Sequence, residues 1–300
     1  MKICAVVVLY TCLIKDSKTL NSLLLNFEKE VSLFEKFKLV IYDNGANDQN
    51  ASAKMPFGYI YFHNPKNEGL AVAYNFALKE ASDEGYDWLL LLDQDSFLPT
   101  NFVSQLFLHL TKVSENESIT AIVPKMRYQN FIFSPSQILF GGISRPIDRN
   151  FIGIYTGNVF AIGSGSLVKV SFMNQVYGFN EFFWIDFLDR WLYKVISKSG
   201  GKVYVSDIII DHELSILNYD KYMNEKRYLN IIKFETYYMK LYESRGENLV
   251  YYLRLVKRIF SFGRLKSTRK YSVLTIRLLM DIIFSKRYAK KELIKNLKGR

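Results

Sequence analysis

Asp93 and Asp95 stand one residue apart at the end of the apolar run Trp88-Leu89-Leu90-Leu91-Leu92, in the string Asp93-Gln94-Asp95-Ser96. Side chains alternate along an extended chain, so both carboxylates can fall on one side of the strand's end. Two anionic oxygen donors at the rim of a buried strand suit a hard divalent cation, and such a cation suits a diphosphate. A solvated turn after a core strand would read the same way. Three other apolar runs also end in polar residues. Ile3–Tyr10 leads into Tyr10-Thr11, and Lys38–Asp43 into Asp43-Asn44-Gly45-Ala46-Asn47-Asp48, a turn-rich cluster able to set a carboxylate against a base or ribose. Tyr59–His63 is followed by Asn64-Pro65-Lys66-Asn67-Glu68-Gly69-Leu70-Ala71-Val72-Ala73-Tyr74-Asn75. There Gly69 and small residues open a helix whose backbone N-terminus could approach phosphate oxygens. Each of these strand ends alone reads equally well as a cap or turn; the informative part is their order on successive strands.

Residues placed this way need a sheet behind them. Between the first two runs Leu20, Leu23, Leu24, Phe27, Val31 and Phe34 recur at helical spacing, and between the third and fourth so do Leu70, Ala73, Tyr74, Ala77 and Ala81. Apolar strands separated by amphipathic helices predict an α/β fold, a mostly parallel sheet covered on both faces, with ligands bound beyond the carboxyl ends of the strands. Further on, the pattern predicts a helix over 100–113, a strand over 119–123, an irregular stretch over 126–155 and an apolar run over 160–170 interrupted by Gly163-Ser164-Gly165-Ser166. A helix over 193–199 and a short strand over 202–205 follow, then Asp211-His212-Glu213. From Tyr219 the pattern is helical, which divides the chain into a catalytic domain, 1–218, and a helical extension, 219–300.

Charge follows the same division. Residues 221–300 carry 21 Lys and Arg against 6 Asp and Glu, whereas residues 1–220 carry 19 against 23, so all of the excess positive charge is C-terminal. Such asymmetry suits an anionic surface, either a membrane leaflet or nucleic acid. Within Leu249–Phe262, Arg254, Lys257, Arg258 and Ser261 share one helical face, and Leu249, Leu253, Val256, Ile259 and Phe260 occupy much of the other. A second amphipathic stretch runs from Ser272 to Phe284 and leads into Lys286, Arg287, Lys290 and Lys291. Basic amphipathic helices suit an anionic membrane interface, although they could equally pack on the catalytic domain. The tail carries no recognised nucleic-acid motif, so nucleic acid is not an expected partner. Cys4 and Cys12 imply neither a disulfide framework nor zinc spacing. The N-terminal apolar run is short and soon followed by Lys15, Asp16 and Lys18, which reads as a buried strand rather than a signal peptide. No segment reaches membrane-spanning length, so a cytoplasmic, peripheral protein is expected.

The ordered set of motifs resembles family 2 glycosyltransferases of the GT-A fold, and within them the bacterial rhamnosyltransferases. It consists of Val6-Val7-Val8-Leu9-Tyr10, Tyr42-Asp43-Asn44-Gly45, Asn67–Asn75, Leu91–Ser96, Gly163–Leu167 and Gly178–Asp189, spread over residues 3 to about 213. The Asp-Gln-Asp-Ser form and the Ile185-Asp186-x-x-Asp189 spacing are the features that point to rhamnose. The resemblance implies that Tyr10, Asp43, Asn67, Gly69, Asn75, Asp93 and Gln94 bind the nucleotide sugar, with Asp43 on the imide edge of uracil or thymine. It implies that Asp93, Asp95 and His212 hold Mg²⁺ or Mn²⁺, and that Gly165, Ser166 and Trp184 meet the acceptor. An inverting transfer also needs a base near the acceptor hydroxyl. Asp189 aligns with the family's catalytic position, and Asp186 is its rival, the two sharing a face if their segment is helical. Trp191 and Lys194-Val195 depart from the family's acidic residue and Leu-Arg pair, and Glu235–Lys240 from its aromatic-Arg-Asn signature; these departures fall outside the nucleotide-binding half. The implied activity is transfer of L-rhamnose from dTDP-L-rhamnose to a lipid-linked saccharide at the inner face of a bacterial plasma membrane, in O-antigen or capsule synthesis. The competing readings are a UDP-hexose or UDP-galactofuranose donor, a nucleotidyltransferase, and a non-enzymatic protein that binds nucleic acid through its tail.

Overall fold

The computed structural model describes residues 1–50, 54–212, 223–285 and 293. They fall into two compact units, Met1–Gln137 with Arg145–Glu213 and Ile138–Ser144 with Leu214–Arg300.

The first unit is built on a nine-stranded sheet. In chain order its early elements are β1 (Ile3–Leu9), α1 (Lys18–Lys29), β2 (Phe37–Asp43), β3 (Tyr59–His63), α2 (Leu70–Asp83), β4 (Trp88–Asp93), α3 (Phe102–Val113) and β5 (Ile119–Tyr128). β1 is buried along its whole length, as a strand with helices on both faces must be. It lies between β2 and β4, parallel to both, with Leu9 level with Asp43 and Val8 level with Asp93. The order β3-β2-β1-β4 places a topological switch point between β1 and β4, where parallel α/β sheets open a crevice for ligands.

The stretch expected to be irregular contains four short strands, β6 (Phe131–Ser134), β7 (Ser136–Leu139), β8 (Ile143–Pro146) and β9 (Gly153–Tyr155). β10 (Val159–Phe160) pairs antiparallel with the first half of β7, and β11 (Leu167–Lys169) lies antiparallel between β4 and β5. After α4 (Val170–Gln175) and α5 (Leu188–Lys198), β12 (Lys202–Asp211) runs parallel to β5 and continues six residues past its expected end. The expectation stopped at Val205 because Ser206-Asp207 breaks the apolar pattern; in the structure a register shift between Val205 and Ile209 absorbs them and the strand continues. Asp211 thereby lies level with Arg127, and His212 comes to the carboxyl edge of the sheet.

The second unit holds α6 (Glu225–Tyr242), α7 (Arg245–Gly263) and α8 (Arg269–Phe284). Here part of the basic stripe of α7 turns inward. Arg258 grips the buried Glu235 through both nitrogens at 2.9 and 3.3 Å, and Arg254 lies 3.5 Å from the same carboxylate while donating to Gly141 O at 2.8 Å. A buried carboxylate needs counter-charge, and two arginines of the basic stripe supply it. It is Leu249, Leu253, Val256 and Phe260 that α7 exposes, and α8 exposes Val273, Ile276, Met280, Ile283 and Phe284. Lys286, Arg287, Lys290 and Lys291 lie outside the described residues. No helix among the described residues is long and apolar enough to cross a membrane.

Candidate active site

The carboxyl edge of the sheet is locked before any ligand is considered. Across the switch point the Gln94 side chain accepts the Tyr10 N–H at 2.7 Å and donates to the Tyr10 carbonyl at 3.1 Å, tying the ends of β1 and β4 together. From the other side the start of α1 holds the acidic loop. Ser17 Oγ donates to Gln94 O at 2.9 Å, and Thr19 Oγ1 lies against the carbonyls of Asp93 and Ser96 while accepting the Ser96 N–H at 3.1 Å. The backbone bearing both carboxylates therefore has little freedom.

Asp93, Asp95 and His212 converge, each offering a ligand atom within 4.8 Å of the others. Burial pushes the Asp93 carboxyl up to about 6; His212 draws it down and Asp95 pushes it further up. Crowded carboxylates of this kind are relieved by a cation. His212 is oriented by a chain of hydroxyls: Ser96 Oγ lies 3.2 Å from His212 Nδ1 and 2.7 Å from Ser164 Oγ, which accepts the Asp93 N–H at 3.0 Å. With Nδ1 engaged, Nε2 is the ring nitrogen left for a metal, the arrangement by which outer-shell partners set a histidine ligand. Two carboxylates and an oriented imidazole fit a divalent cation of the Mg²⁺ or Mn²⁺ class. Ser96→Ala should weaken Mn²⁺ affinity about tenfold, as removal of an outer-shell partner does; titration calorimetry would measure it, and an unchanged affinity would remove the serine from the site.

Asp189 occupies the first turn of α5, near enough to Asp93 to feel its charge. Its carboxylate takes the Gly163 N–H, and a Cβ added at Gly163 would stand 2.7 Å from its Oδ1. Burial, and then the charge on Asp93, push it up to about 7, against the opposing Gly163 hydrogen bond. A carboxylate poised near neutrality suits a general base. The common helix that would set Asp186 on the same face as Asp189 is not formed. α5 begins only at Leu188, and Phe187 before it is left-handed (φ 69°, ψ 4°), which breaks helical continuity between the two acids.

Asp43, at the end of β2, is wholly buried. Its Oδ1 accepts the Gly45 N–H at 2.8 Å, and its Oδ2 accepts Tyr61 OH at 2.8 Å and Gln49 Nε2 at 3.0 Å. Asn67 (φ 49°) offers its carbonyl to the Trp184 indole at 3.3 Å. Beside it the expected phosphate approach at Gly69 is filled in this structure. Trp184 O accepts the Leu70 N–H at 2.9 Å, and a Cβ at Gly69 would meet the Trp184 ring at 2.2 Å. Gly69→Ala, at φ +93°, should therefore cost about 3 kcal/mol; thermal unfolding would read it as a clear fall in Tm, and an unchanged Tm would contradict the packing. The Asn75 amide binds the Phe179 backbone at both ends (2.6 and 2.9 Å) and also Glu181, so it holds the 178–181 loop.

Gly165 and Ser166, expected at the acceptor, are both buried. Gly165, at φ +80°, allows the chain to pass under Ile210 and Pro124, and Ser166 Oγ donates to Ile162 O at 2.9 Å and lies 2.8 Å from Tyr193 OH. The cleft that opens beside the Asp93–Asp95–His212 cluster, about 550 Å³, is lined by Lys18, Asp95, Phe97, Arg127, Tyr128, Asp211 and His212, among others. Arg127 and Asp211 face each other there in a bidentate pair at 2.6 and 2.8 Å. Lys18, Phe97 and Arg127 carry no motif that would single them out in sequence, because a helix start, a loop and a strand become neighbours only in the folded chain.

The family model described as glycosyl transferase family 2 matches residues 10–176. Among solved structures, TarS 1-349 of S. aureus superposes with a TM-score of 0.51 at 14% identity, covering 93% of this chain and 92% of that one. TarS 1-349 in complex with UDP gives a TM-score of 0.49 at 13% identity, with the same coverage. At such identity the likeness speaks to the fold alone, a mostly parallel sheet flanked by helices. A search of curated proteins found no match.

Proposed function

The chain belongs to glycosyl transferase family 2, and on that footing we propose that it is an inverting, divalent-cation-dependent glycosyltransferase. The donor in this reading is dTDP-L-rhamnose and the acceptor a lipid-linked saccharide of a bacterial surface polysaccharide, met at the inner face of the plasma membrane. One observation carries the reading: a near-neutral carboxylate, Asp189, beside the Asp93–Asp95–His212 cluster at the carboxyl edge of the sheet. In the reaction the acceptor hydroxyl oxygen bonds to the anomeric carbon, the bond from that carbon to the diphosphate oxygen breaks, and the hydroxyl proton passes to Asp189. Asp95, Asp93 and His212 would hold the cation, which when bound supplies positive charge to the departing diphosphate. Asp43 accepts the imide N–H of the base. The choice of rhamnose rests on the Asp93-Gln94-Asp95-Ser96 and Ile185-Asp186-x-x-Asp189 motifs. Turnover of dTDP-L-rhamnose, compared with UDP-glucose, UDP-galactose and UDP-galactofuranose, tests it; turnover of a UDP-sugar alone would keep the chemistry and discard the rhamnose.

The second unit supports a membrane partner by a route other than the basic stripe expected from sequence. The exposed leucines and Phe260 of α7 and the apolar residues of α8 lie among exposed Lys257, Arg264, Lys266, Arg269, Lys270 and Arg277, with no acidic residue between Glu247 and Asp281. A second copy of this face would set like charges together, whereas an anionic bilayer satisfies both apolar and charged groups. The double variant Leu253→Asp with Phe260→Asp should lose at least about tenfold in co-sedimentation with phosphatidylglycerol-containing vesicles. Wild-type binding should survive partly at high salt; full release by salt would mean that the apolar face does not insert.

A further inference from the structure

Asp43 is the group that reads the base in the proposed reaction, yet no part of it reaches solvent. The residue covering it is Gln49. Its Nε2 donates to Asp43 Oδ2 at 3.0 Å and to Cys12 O at 3.1 Å, while its Oε1 accepts the Ile14 N–H at 2.9 Å. One primary amide thus occupies groups from the end of β2 and from the loop that follows β1. A primary amide sets an N–H donor beside a carbonyl acceptor, and the imide edge of uracil or thymine carries the same pairing. We propose that Gln49 is an internal stand-in for the nucleotide base, held on Asp43 until the donor's base displaces it, and that it sets the affinity for the donor.

The exchange conserves all but one of the amide's hydrogen bonds: Cys12 O loses its donor, because the imide carries a single N–H. When the Gln49 amide leaves, Asp43 Oδ2 loses one N–H donor and gains the imide N–H, and the Ile14 N–H loses one carbonyl and gains another. Tyr61 need not move. Its hydroxyl donates to Asp43 Oδ2 at 2.8 Å and accepts the Gln49 backbone N–H at 2.8 Å, so Tyr61 and the Gly45 N–H fix the carboxylate in both states. Because buried polar groups without partners are costly, the Gln49 amide, which serves the Ile14 N–H and Cys12 O as well as Asp43, competes with an incoming base for this place. The observed affinity for nucleotide is then the intrinsic affinity reduced by the fraction of molecules in which Gln49 has vacated its place.

This inference rests on the reading of Asp43 as the base contact, and the two can fail separately. Calorimetry with UDP and dTDP in the presence of Mn²⁺ would compare full-length wild type, Gln49→Ala, Gln49→Met and Asp43→Ala. Gln49→Met keeps the bulk of the side chain and loses the amide, so it guards against a collapsed loop in Gln49→Ala. Both Gln49 variants should bind nucleotide about tenfold more tightly. Both should also show a lower Tm without nucleotide and a larger rise in Tm with it. Weaker or unchanged binding in both would overturn the proposal and leave Gln49 as a positioning residue for Asp43. Unchanged binding in Asp43→Ala would instead overturn the base-contact reading itself.

Discussion

Asp189→Asn is expected to lower the rate of sugar transfer by about 10³-fold while leaving nucleotide affinity within about twofold, because it removes the proton acceptor and not the donor site. The same carboxyl dictates how the rate depends on pH. Burial and the nearby Asp93 hold it at about 7, so the basic form fails progressively as the pH falls below that value. Transfer should therefore rise with pH through about 7 and level off above it. Stability should move the other way. A carboxyl that keeps its proton to about 7 when folded, and loses it near 4 when unfolded, favours the folded state at low pH. That contribution is lost as the pH rises through the folded value, and Asp93, held at about 6, adds to the same trend. Asn carries no charge to bury, so Asp189→Asn should raise stability at pH 8 by on the order of 1 kcal/mol, discounted because the site is partly exposed, and change little near pH 4. An inactive variant no more stable than wild type at pH 8 would mean that Asp189 is not held as the structure holds it.

Removing the cation should be as severe. Chelation, or Asp95→Ala, is expected to reduce transfer by at least about 10²-fold, and Mn²⁺ or Mg²⁺ should restore the chelated wild type but not the variant. Asp95 is the cleanest residue for the test. It is exposed, whereas Asp93 and the backbone around it are tied to α1, so changing Asp95 disturbs the loop least. Full activity in chelator would remove the metal from the mechanism and leave Asp93, Asp95 and His212 as an electrostatic cluster without a ligand.

Much of this arrangement was legible in the sequence because it depends on local pattern. β1, β2 and β4 are unbroken apolar runs, and the polar residues after them fall where a parallel sheet must place its ligands. The convergence of His212 with the Asp93 loop was legible only through family resemblance, since β12 continues through a register shift that periodicity reads as an end. Gly165 and Ser166 show the limit of motifs. Their conformation and hydroxyl serve the turn that lets the chain pass beneath Ile210, and a Gly-Ser pattern looks the same whether it faces a ligand or a core. The tail illustrates a different limit. Helical spacing correctly divided α7 into a basic face and an apolar face, but nothing in that spacing says which face turns inward. Glu235, twenty-three residues before Arg258, decides it by needing a partner.

The proposed transfer is a single displacement at the anomeric carbon, with Asp189 taking the proton of the attacking hydroxyl. The anomeric configuration of the first-formed product, read by proton NMR with whichever nucleotide sugar turns over, tests that claim most directly. Inversion relative to the donor is the predicted result; retention would contradict it, because it requires a second displacement that this arrangement does not provide.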